Sequence, residues 1–221
     1  MKRILSTVLG LGFSVFSFAQ DNEHRNWGTL NINQKLDDKW SFNSDVQYRT
    51  YEDFDQLNQL LIRAGIGYDL STNNNTILAG YAFVINRNST SEDNYSTSNE
   101  HRIYQQFNTK HKISIVNLNH RFRFEERLMN DDIFFRFRYQ INATIPLNKP
   151  SIQNKTIYFK LANELFLNTI KTNDFDRNRL NLSLGYVVNP TLTIESGYMK
   201  QHVKHQQTDH FTFGITLNNL L

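Results

Sequence analysis

Arginine and glutamate residues that recur at every second position are the side chains of this sequence best suited to chemistry. Arg121, Arg123 and Glu125 are spaced in this way, and so are Arg136 and Arg138. Residues two apart in an extended strand project from the same face, so each run would align guanidinium and carboxylate groups on one side. Such rows can form bidentate ion pairs that only fill space, or a lining that selects solutes by charge.

The histidines give little support to an enzyme or a metal site. A lipid hydrolase of the outer membrane would need a serine nucleophile beside a histidine base. No histidine is followed two residues later by serine, and His210 is followed by Thr212. His202 and His205 have a spacing that could chelate a metal on a helix, but they lie in a segment predicted as strand end and loop. We therefore expect no catalytic residue, no metal and no cofactor.

The elements that must position these charges are β-strands, because the hydrophobic pattern has a period of two. Between Leu60 and Leu70, one series of alternate residues is apolar and the other is polar or small. Similar alternation predicts eleven strands, at 27–36, 40–51, 58–70, 76–86, 99–109, 112–126, 133–146, 155–168, 177–188, 191–202 and 208–218. Most have about 10 to 14 residues, which suits a tilted strand that crosses a membrane.

The connections predict an up-and-down barrel with two unlike ends. Asp37–Lys39, residues 71–75, the region around Thr109 and Asn189–Pro190 predict short turns, whereas Asn86–Ser98 and 169–176 predict longer polar loops. Outer-membrane barrels have short periplasmic turns, long outer loops and an even number of strands. The loops after the even-numbered strands would then face outside and the C-terminus would lie in the periplasm. Eleven strands conflict with an even number, so ten and twelve both stay open.

The N-terminus predicts export. Lys2 and Arg3 precede an apolar run from Ile4 to Phe18, and the segment ending at Ala19 fits a signal-peptidase site, so residues 1–19 are a predicted signal peptide. Without the two leader charges, 22 basic residues face 21 acidic ones, which gives no basic surface for nucleic acid. The chain has no cysteine, and barrel closure would replace disulfides as a source of stability.

The polar series indicates an enclosed lumen rather than a solvated surface. It is rich in arginine and poor in lysine, and arginine suits crowded sites because its planar fork binds carboxylates. The predicted lumen charge network consists of Arg63, Glu100, Arg102, Arg121, Arg123, Glu125, Arg136, Arg138, Glu164 and Arg179. Basic residues outnumber acidic ones about two to one, so a pore would favour anions weakly. Inward glycines such as Gly80 and Gly185 would make room for the arginines.

Several segments resemble an uncharacterised family of Gram-negative exported proteins, the domain of unknown function 2490. The resemblance is carried by Asn99–Gln106, His120–Arg127, Arg136–Tyr139 and Asn163–Phe166, with Trp27–Gly28 and Lys35–Trp40 also similar. It covers essentially the whole mature chain. The resemblance implies an outer-membrane β-barrel and implies no activity.

We therefore predict an all-β protein, a single transmembrane antiparallel β-barrel of about 10–12 strands over residues 20–221, in the cell outer membrane. The expected role is a structural or narrow solute-passing barrel with an Arg/Glu-lined lumen. A lipid-modifying enzyme and a surface-binding barrel that acts through its outer loops stay as alternatives. The expected partners are outer-membrane lipid and, during biogenesis, periplasmic chaperones and the barrel-assembly machinery; we expect a monomer.

Overall fold

The computed structural model describes residues 24–51, 56–70, 74–91, 94–130, 132–169, 174–204 and 206–220. The predicted signal peptide at residues 1–19 lies outside this range. The strands are β1 (His24–Lys35), β2 (Trp40–Thr50), β3 (Leu57–Asp69), β4 (Asn75–Ser91), β5 (Asn94–Ile113), β6 (Val116–Met129), β7 (Asp132–Pro146), β8 (Ile157–Thr169), β9 (Asp174–Val187), β10 (Leu192–Val203) and β11 (Gln206–Asn218). In these described residues, no helix is long and apolar enough to cross a membrane.

The eleven strands form one closed barrel in which each strand pairs with its sequence neighbours. Ten of the pairs are antiparallel, and β1 closes the barrel by pairing in parallel with β11, from His24 opposite Asp209 to Asn33 opposite Asn218. The predicted barrel of about 10–12 strands is confirmed, with the eleven strands that the alternation predicts. The even strand number usual in outer-membrane barrels is not met, and the pairing is antiparallel except between β1 and β11. Successive hairpins reverse the chain direction, so an odd number of strands leaves the first and last parallel.

The two ends of the barrel are named here by the strands that finish there. The even-numbered strands finish at the distal end, and the odd-numbered strands finish at the proximal end. The proximal connections are 36–39, 70–74, 114–115, 147–156 and 188–191, and the distal ones are 51–56, 92–93, 130–131, 170–173 and 204–205. The predicted alternation of short proximal turns and long distal loops is wrong, because the longest connection, 147–156, is proximal.

The long polar segment at Asn86–Ser98 is mostly strand rather than loop. Asn86 pairs with Ser98 and Asn88 with Ser96, so β4 and β5 continue as a two-stranded hairpin. The pairing of β3 with β4 stops at Asn86, and the hairpin therefore projects past its neighbour at the distal end. Backbone hydrogen bonds hold this hairpin, and a polar composition does not reveal such pairing. The turn predicted near Thr109 lies at 114–115 instead, because β5 and β6 continue to pair as far as Ile113 and Val116.

Local turn chemistry sets the register at the proximal end. Asp37 Oδ1 accepts hydrogen bonds from the backbone N–H groups of Trp40 and Lys39, each at 2.7 Å, and these bonds lower the pKa of Asp37. Between β5 and β6 the chain reverses within two residues, where Ser114 has a φ of 53°. Because register decides which face each side chain occupies, these turns determine the lining of the barrel.

The outer face of the barrel is apolar around its circumference. Side chains of the apolar series are exposed, with Ile62 at 47% and Phe213 at 49% of their full accessible area. The same face carries the exposed residues Ile66, Ile77, Tyr81, Ile103, Leu161, Leu180, Leu184, Ile194, Phe211 and Ile215. Near the proximal turns Trp40 packs edge-on against Tyr68, with 4.8 Å between ring centroids. The polar series consequently faces the lumen.

Candidate functional site

The lumen holds a continuous set of ion pairs between β6, β7 and β8. Glu125, which is 1% exposed, accepts from Arg136 at 2.6 Å and from Arg138 at 2.6 Å. Arg138 also donates to Glu164 at 2.6 Å, and Glu164 accepts from Arg121 at 2.6 Å. Arg138 therefore lies between two carboxylates. This arrangement compensates charges that would be costly to bury alone.

Two further groups of ion pairs extend the network. Glu100 accepts two hydrogen bonds from Arg102, at 2.7 and 2.8 Å, and two more from Arg127. Across β2 and β3, Asp45 accepts from Arg63 at 2.6 Å. These contacts follow from the register, since Asp45 lies directly opposite Arg63.

All ten residues of the predicted charge network lie on the inner face, and the structure brings most of them together. Nine take part in carboxylate–guanidinium contacts within 4.0 Å, namely Arg63, Glu100, Arg102, Arg121, Arg123, Glu125, Arg136, Arg138 and Glu164. Arg123 is the weakest member, with 3.7 Å to Glu125, and its guanidinium donates mainly to the Gln106 amide oxygen. Arg179 contacts no carboxylate of the described residues this closely; its Nε donates to Gln201 at 2.8 Å.

Sequence reasoning missed several lumen residues that shape the site. The buried ring of Phe166, which is 1% exposed, lies beneath the guanidinium carbons of Arg138 at 4.4 Å and Arg179 at 4.7 Å, in cation–π geometry. The other missed residues are Trp27, Asp45, Arg49, Arg127 and Asp176. The same alternation could have found most of them, because Trp27 and Arg49 belong to the inner series of β1 and β2.

Three inner glycines, Gly65, Gly80 and Gly185, make room for tyrosine side chains rather than for arginines. A Cβ on Gly80 would overlap the Tyr104 ring, and a Cβ on Gly185 would overlap the Tyr158 ring. The Tyr158 hydroxyl donates to Glu195 at 2.7 Å. The expectation that these glycines make room for arginines is therefore wrong, and the aromatic rings narrow the lumen instead.

A cavity of about 610 Å³ occupies the lumen from its middle to the distal end. Arg49, Arg102 and Arg179 line it distally, and Lys160 and Glu195 line it near the middle of the barrel. Ten basic side chains line the cavity and three acidic ones do. The space therefore has a strong excess of positive charge.

The histidines of the described residues are divided between the two faces of the barrel. His210 points into the lumen and packs edge-on against Trp27, with no hydrogen bond to a serine or threonine hydroxyl in this part of the chain. No group of three His, Cys, Asp or Glu side chains that could hold a metal occurs in the described residues. His205, one member of the candidate metal pair, lies outside them. On the outer face, His120 Nδ1 forms a 2.8 Å hydrogen bond with the Tyr139 hydroxyl.

Comparisons with known proteins agree with the resemblance seen in the sequence. No curated protein and no solved structure matches the chain. One family model, described as a protein of unknown function (DUF2490), matches residues 24–212, which span the barrel from the start of β1 into β11. The chain belongs to this family of proteins of unknown function.

Proposed function

We propose that the protein is an outer-membrane barrel that passes small solutes through a narrow, anion-favouring lumen. The observation that carries the proposal is the opposite character of the two faces: exposed aliphatic and aromatic side chains outside, and an excess of arginine around the cavity inside. An apolar face that surrounds a whole barrel is far larger than the patches on soluble monomers. Hydrocarbon is the environment that suits it.

Two tyrosine–histidine pairs on the outer face support a membrane location because their polar groups are hydrogen-bonded to each other. The His120 imidazole and the Tyr139 hydroxyl are hydrogen-bonded to each other, and so are Tyr81 on β4 and His101 on β5. Unpaired polar groups would be costly in hydrocarbon, whereas paired ones are tolerated. The exposed Trp40, which packs on the half-buried Tyr68 beside a proximal turn, fits the aromatic girdles of membrane barrels.

The lumen supports passage of small solutes and opposes a wide channel. The lumen is narrowed by side chains that are almost completely enclosed, such as Glu125 and Phe166. A barrel of this size is also narrower than general porins. The surplus of guanidinium groups would attract anions and repel cations at the distal entrance.

Planar-bilayer recordings of the refolded protein test the proposal. In a salt gradient, we expect small conductance steps and a reversal potential that indicates anion preference. Arg49→Glu should shift the reversal potential towards cation preference, because Arg49 lines the cavity and no carboxylate of the described residues compensates it. Arg87→Glu changes the charge equally on the projecting hairpin and serves as the control. Absence of conductance steps would refute solute passage and leave a structural barrel.

The projecting β4–β5 hairpin favours surface binding as a second candidate function. Its exposed tip carries polar residues such as Asn94, Ser96 and Thr97. A Tyr95–Arg87 contact, with 4.2 Å from the guanidinium carbon to the ring centroid, stiffens it. Deletion of residues 88–97 should abolish adhesion to a ligand or cell surface if this hairpin binds it, and undiminished adhesion would exclude that role.

A further inference from the structure

Near the distal end, β1, β2, β9 and β11 bring together four side chains, and three of them have buried nitrogens without a hydrogen-bond partner among the described residues. We propose that Trp27, Arg49, Arg179 and His210 bind a small oxyanion, for which inorganic phosphate is the representative probe. The inference rests on the proposed function in one respect, that solutes reach the lumen from solution. Binding itself requires no passage through the barrel.

Trp27 is the centre of the cluster. The guanidinium carbon of Arg49 lies 3.5 Å from the indole centroid, that of Arg179 lies 4.8 Å away, and the His210 ring packs edge-on at 6.0 Å. The register accounts for this grouping, because Trp27 lies opposite Arg49 on β2 and opposite Thr212, two residues from His210, on β11. A guanidinium stacked on an aromatic face keeps its N–H groups in the plane, where they can bind a ligand.

Several polar nitrogens of this cluster lack partners despite their burial. Trp27 Nε1, Arg49 Nε and both ring nitrogens of His210, one of which is a donor in the neutral imidazole, are buried and have no hydrogen-bond partner among the described residues. His210 is 5% exposed and Trp27 is 9% exposed. Most buried polar groups in proteins are hydrogen-bonded, so several unsatisfied groups at one place indicate a missing partner.

The charge of the cluster sets it apart from the rest of the lumen. Arg49 donates to Gln47 at 2.6 Å and Arg179 to Gln201 at 2.8 Å, and both partners are neutral amides. Neither arginine is within 4.0 Å of a carboxylate in the described residues, whereas Arg138 contacts two. The cluster thus combines net positive charge with donors.

A ligand that accepts several hydrogen bonds and carries negative charge complements these groups. A cation would be repelled by the two arginines, and a neutral polar solute would leave their charge uncompensated. An oxyanion offers several acceptor atoms in different directions, which suits donors from separate strands. Trp27, Arg49 and Arg179 all line the cavity of about 610 Å³, so a phosphate-sized ion has room beside them.

Tryptophan fluorescence provides a direct test, because the chain has two tryptophans and Trp40 lies on the outer face at the proximal end. The Trp40→Phe variant leaves Trp27 as the single indole. Titration of this refolded variant with phosphate, at constant ionic strength maintained with chloride, should give a saturable change in Trp27 emission. Arg49→Gln or Arg179→Gln in the same background should weaken binding roughly ten-fold or more. Arg87→Gln, on the projecting hairpin, should leave it unchanged.

Heat-modifiable gel mobility checks that each variant is folded. If Arg49→Gln does not fold, Arg49→Lys retains the charge without the planar fork and should still weaken binding. A short-chain lipid phosphate as competitor identifies the source of the anion: tighter binding than inorganic phosphate assigns a lipid headgroup, and weaker binding assigns a free solute.

Emission that does not respond saturably to phosphate, or equal loss of binding in Arg87→Gln, would overturn the site. Phosphate binding by a barrel that is silent in bilayers would support the site and refute solute passage. Conductance without phosphate binding would refute the site and leave the proposed function standing.

Discussion

Replacement of Glu125 by glutamine tests whether the lumen network is desolvated. Glu125 lies within 4.0 Å of three guanidinium groups, those of Arg123, Arg136 and Arg138. Glu125→Gln removes the charge and places an NH₂ group against hydrogen-bond donors, while glutamine has nearly the same size as glutamate. The loss of packing is small, and the measured effect reports on electrostatics.

The magnitude follows from what each arginine retains. Arg136 keeps Asp176 at 3.0 Å and Arg138 keeps Glu164 at 2.6 Å, whereas Arg123 keeps only the Gln106 amide. Breaking a buried ion pair by removal of one partner costs about 3–5 kcal/mol. Because two of the three arginines keep a carboxylate, we expect about 3 kcal/mol, at the lower end of that range. Glu125→Gln leaves the Arg123 charge without a carboxylate. The double variant Glu125→Gln, Arg123→Met also removes that charge, and it should recover about 1 kcal/mol of the lost stability.

The assay is equilibrium urea unfolding of the protein refolded into lipid vesicles, followed by tryptophan fluorescence. A loss of about 3 kcal/mol corresponds to a decrease of about 1 M in the urea midpoint for a chain of this size. Glu126→Gln is the matched control, since Glu126 is the next residue, lies on the opposite face and has no ion pair among the described residues. Equal midpoints for the two variants would show that the lumen is hydrated and that the network contributes little to stability.

Two further predictions concern packing and orientation. Gly185→Val should destabilise the barrel by about 3 kcal/mol in the same assay, because the new side chain would displace the Tyr158 ring and break its hydrogen bond to Glu195. Gly28→Ala is the control and should cost far less, because the new Cβ would meet only one atom, at 3.8 Å. The absence of cysteine permits single-cysteine labelling without background. If the distal end faces outside, Ser96→Cys should react with an impermeant maleimide in intact cells, and Gln153→Cys should react only after permeabilisation. The reverse pattern would place the proximal end outside.

The period-two pattern predicted the strands and their faces because it reports directly on the environment of each side. The predicted strand at 58–70 is β3 at Leu57–Asp69, and its apolar series is the exposed one. The alternation was informative here because lipid-like exposure and a charged interior give the two faces opposite composition. The charge network was predictable for the same reason.

The length of the β4–β5 hairpin was not predictable in this way, and the closure of the barrel was only implied. The parallel pairing of β1 with β11 follows from the eleven strands that the alternation predicts, a count that conflicts with the even number usual in outer-membrane barrels. Residues 87–91 pair through the backbone with residues 94–97, although their polar side chains are typical of a loop. The Trp27–Arg49 contact depends on register across a hairpin, which alternation alone leaves undetermined.

The lumen is divided along its length, and the division bears on how selectivity would arise. The proximal end is lined mainly by neutral amides and hydroxyls, where Asn33 bonds to Asn218 at 3.0 Å and Asn31 to Thr216 at 3.3 Å. The Lys160–Glu195 ion pair lies beside them, and its two charges cancel. The distal half holds the arginines and their carboxylates. Neutral amides exchange readily with water and impose no net field, so the electrostatic barrier to cations lies at the distal end. Substitution of proximal asparagines should therefore alter conductance with little effect on ion preference, whereas changes at Arg49 should alter preference.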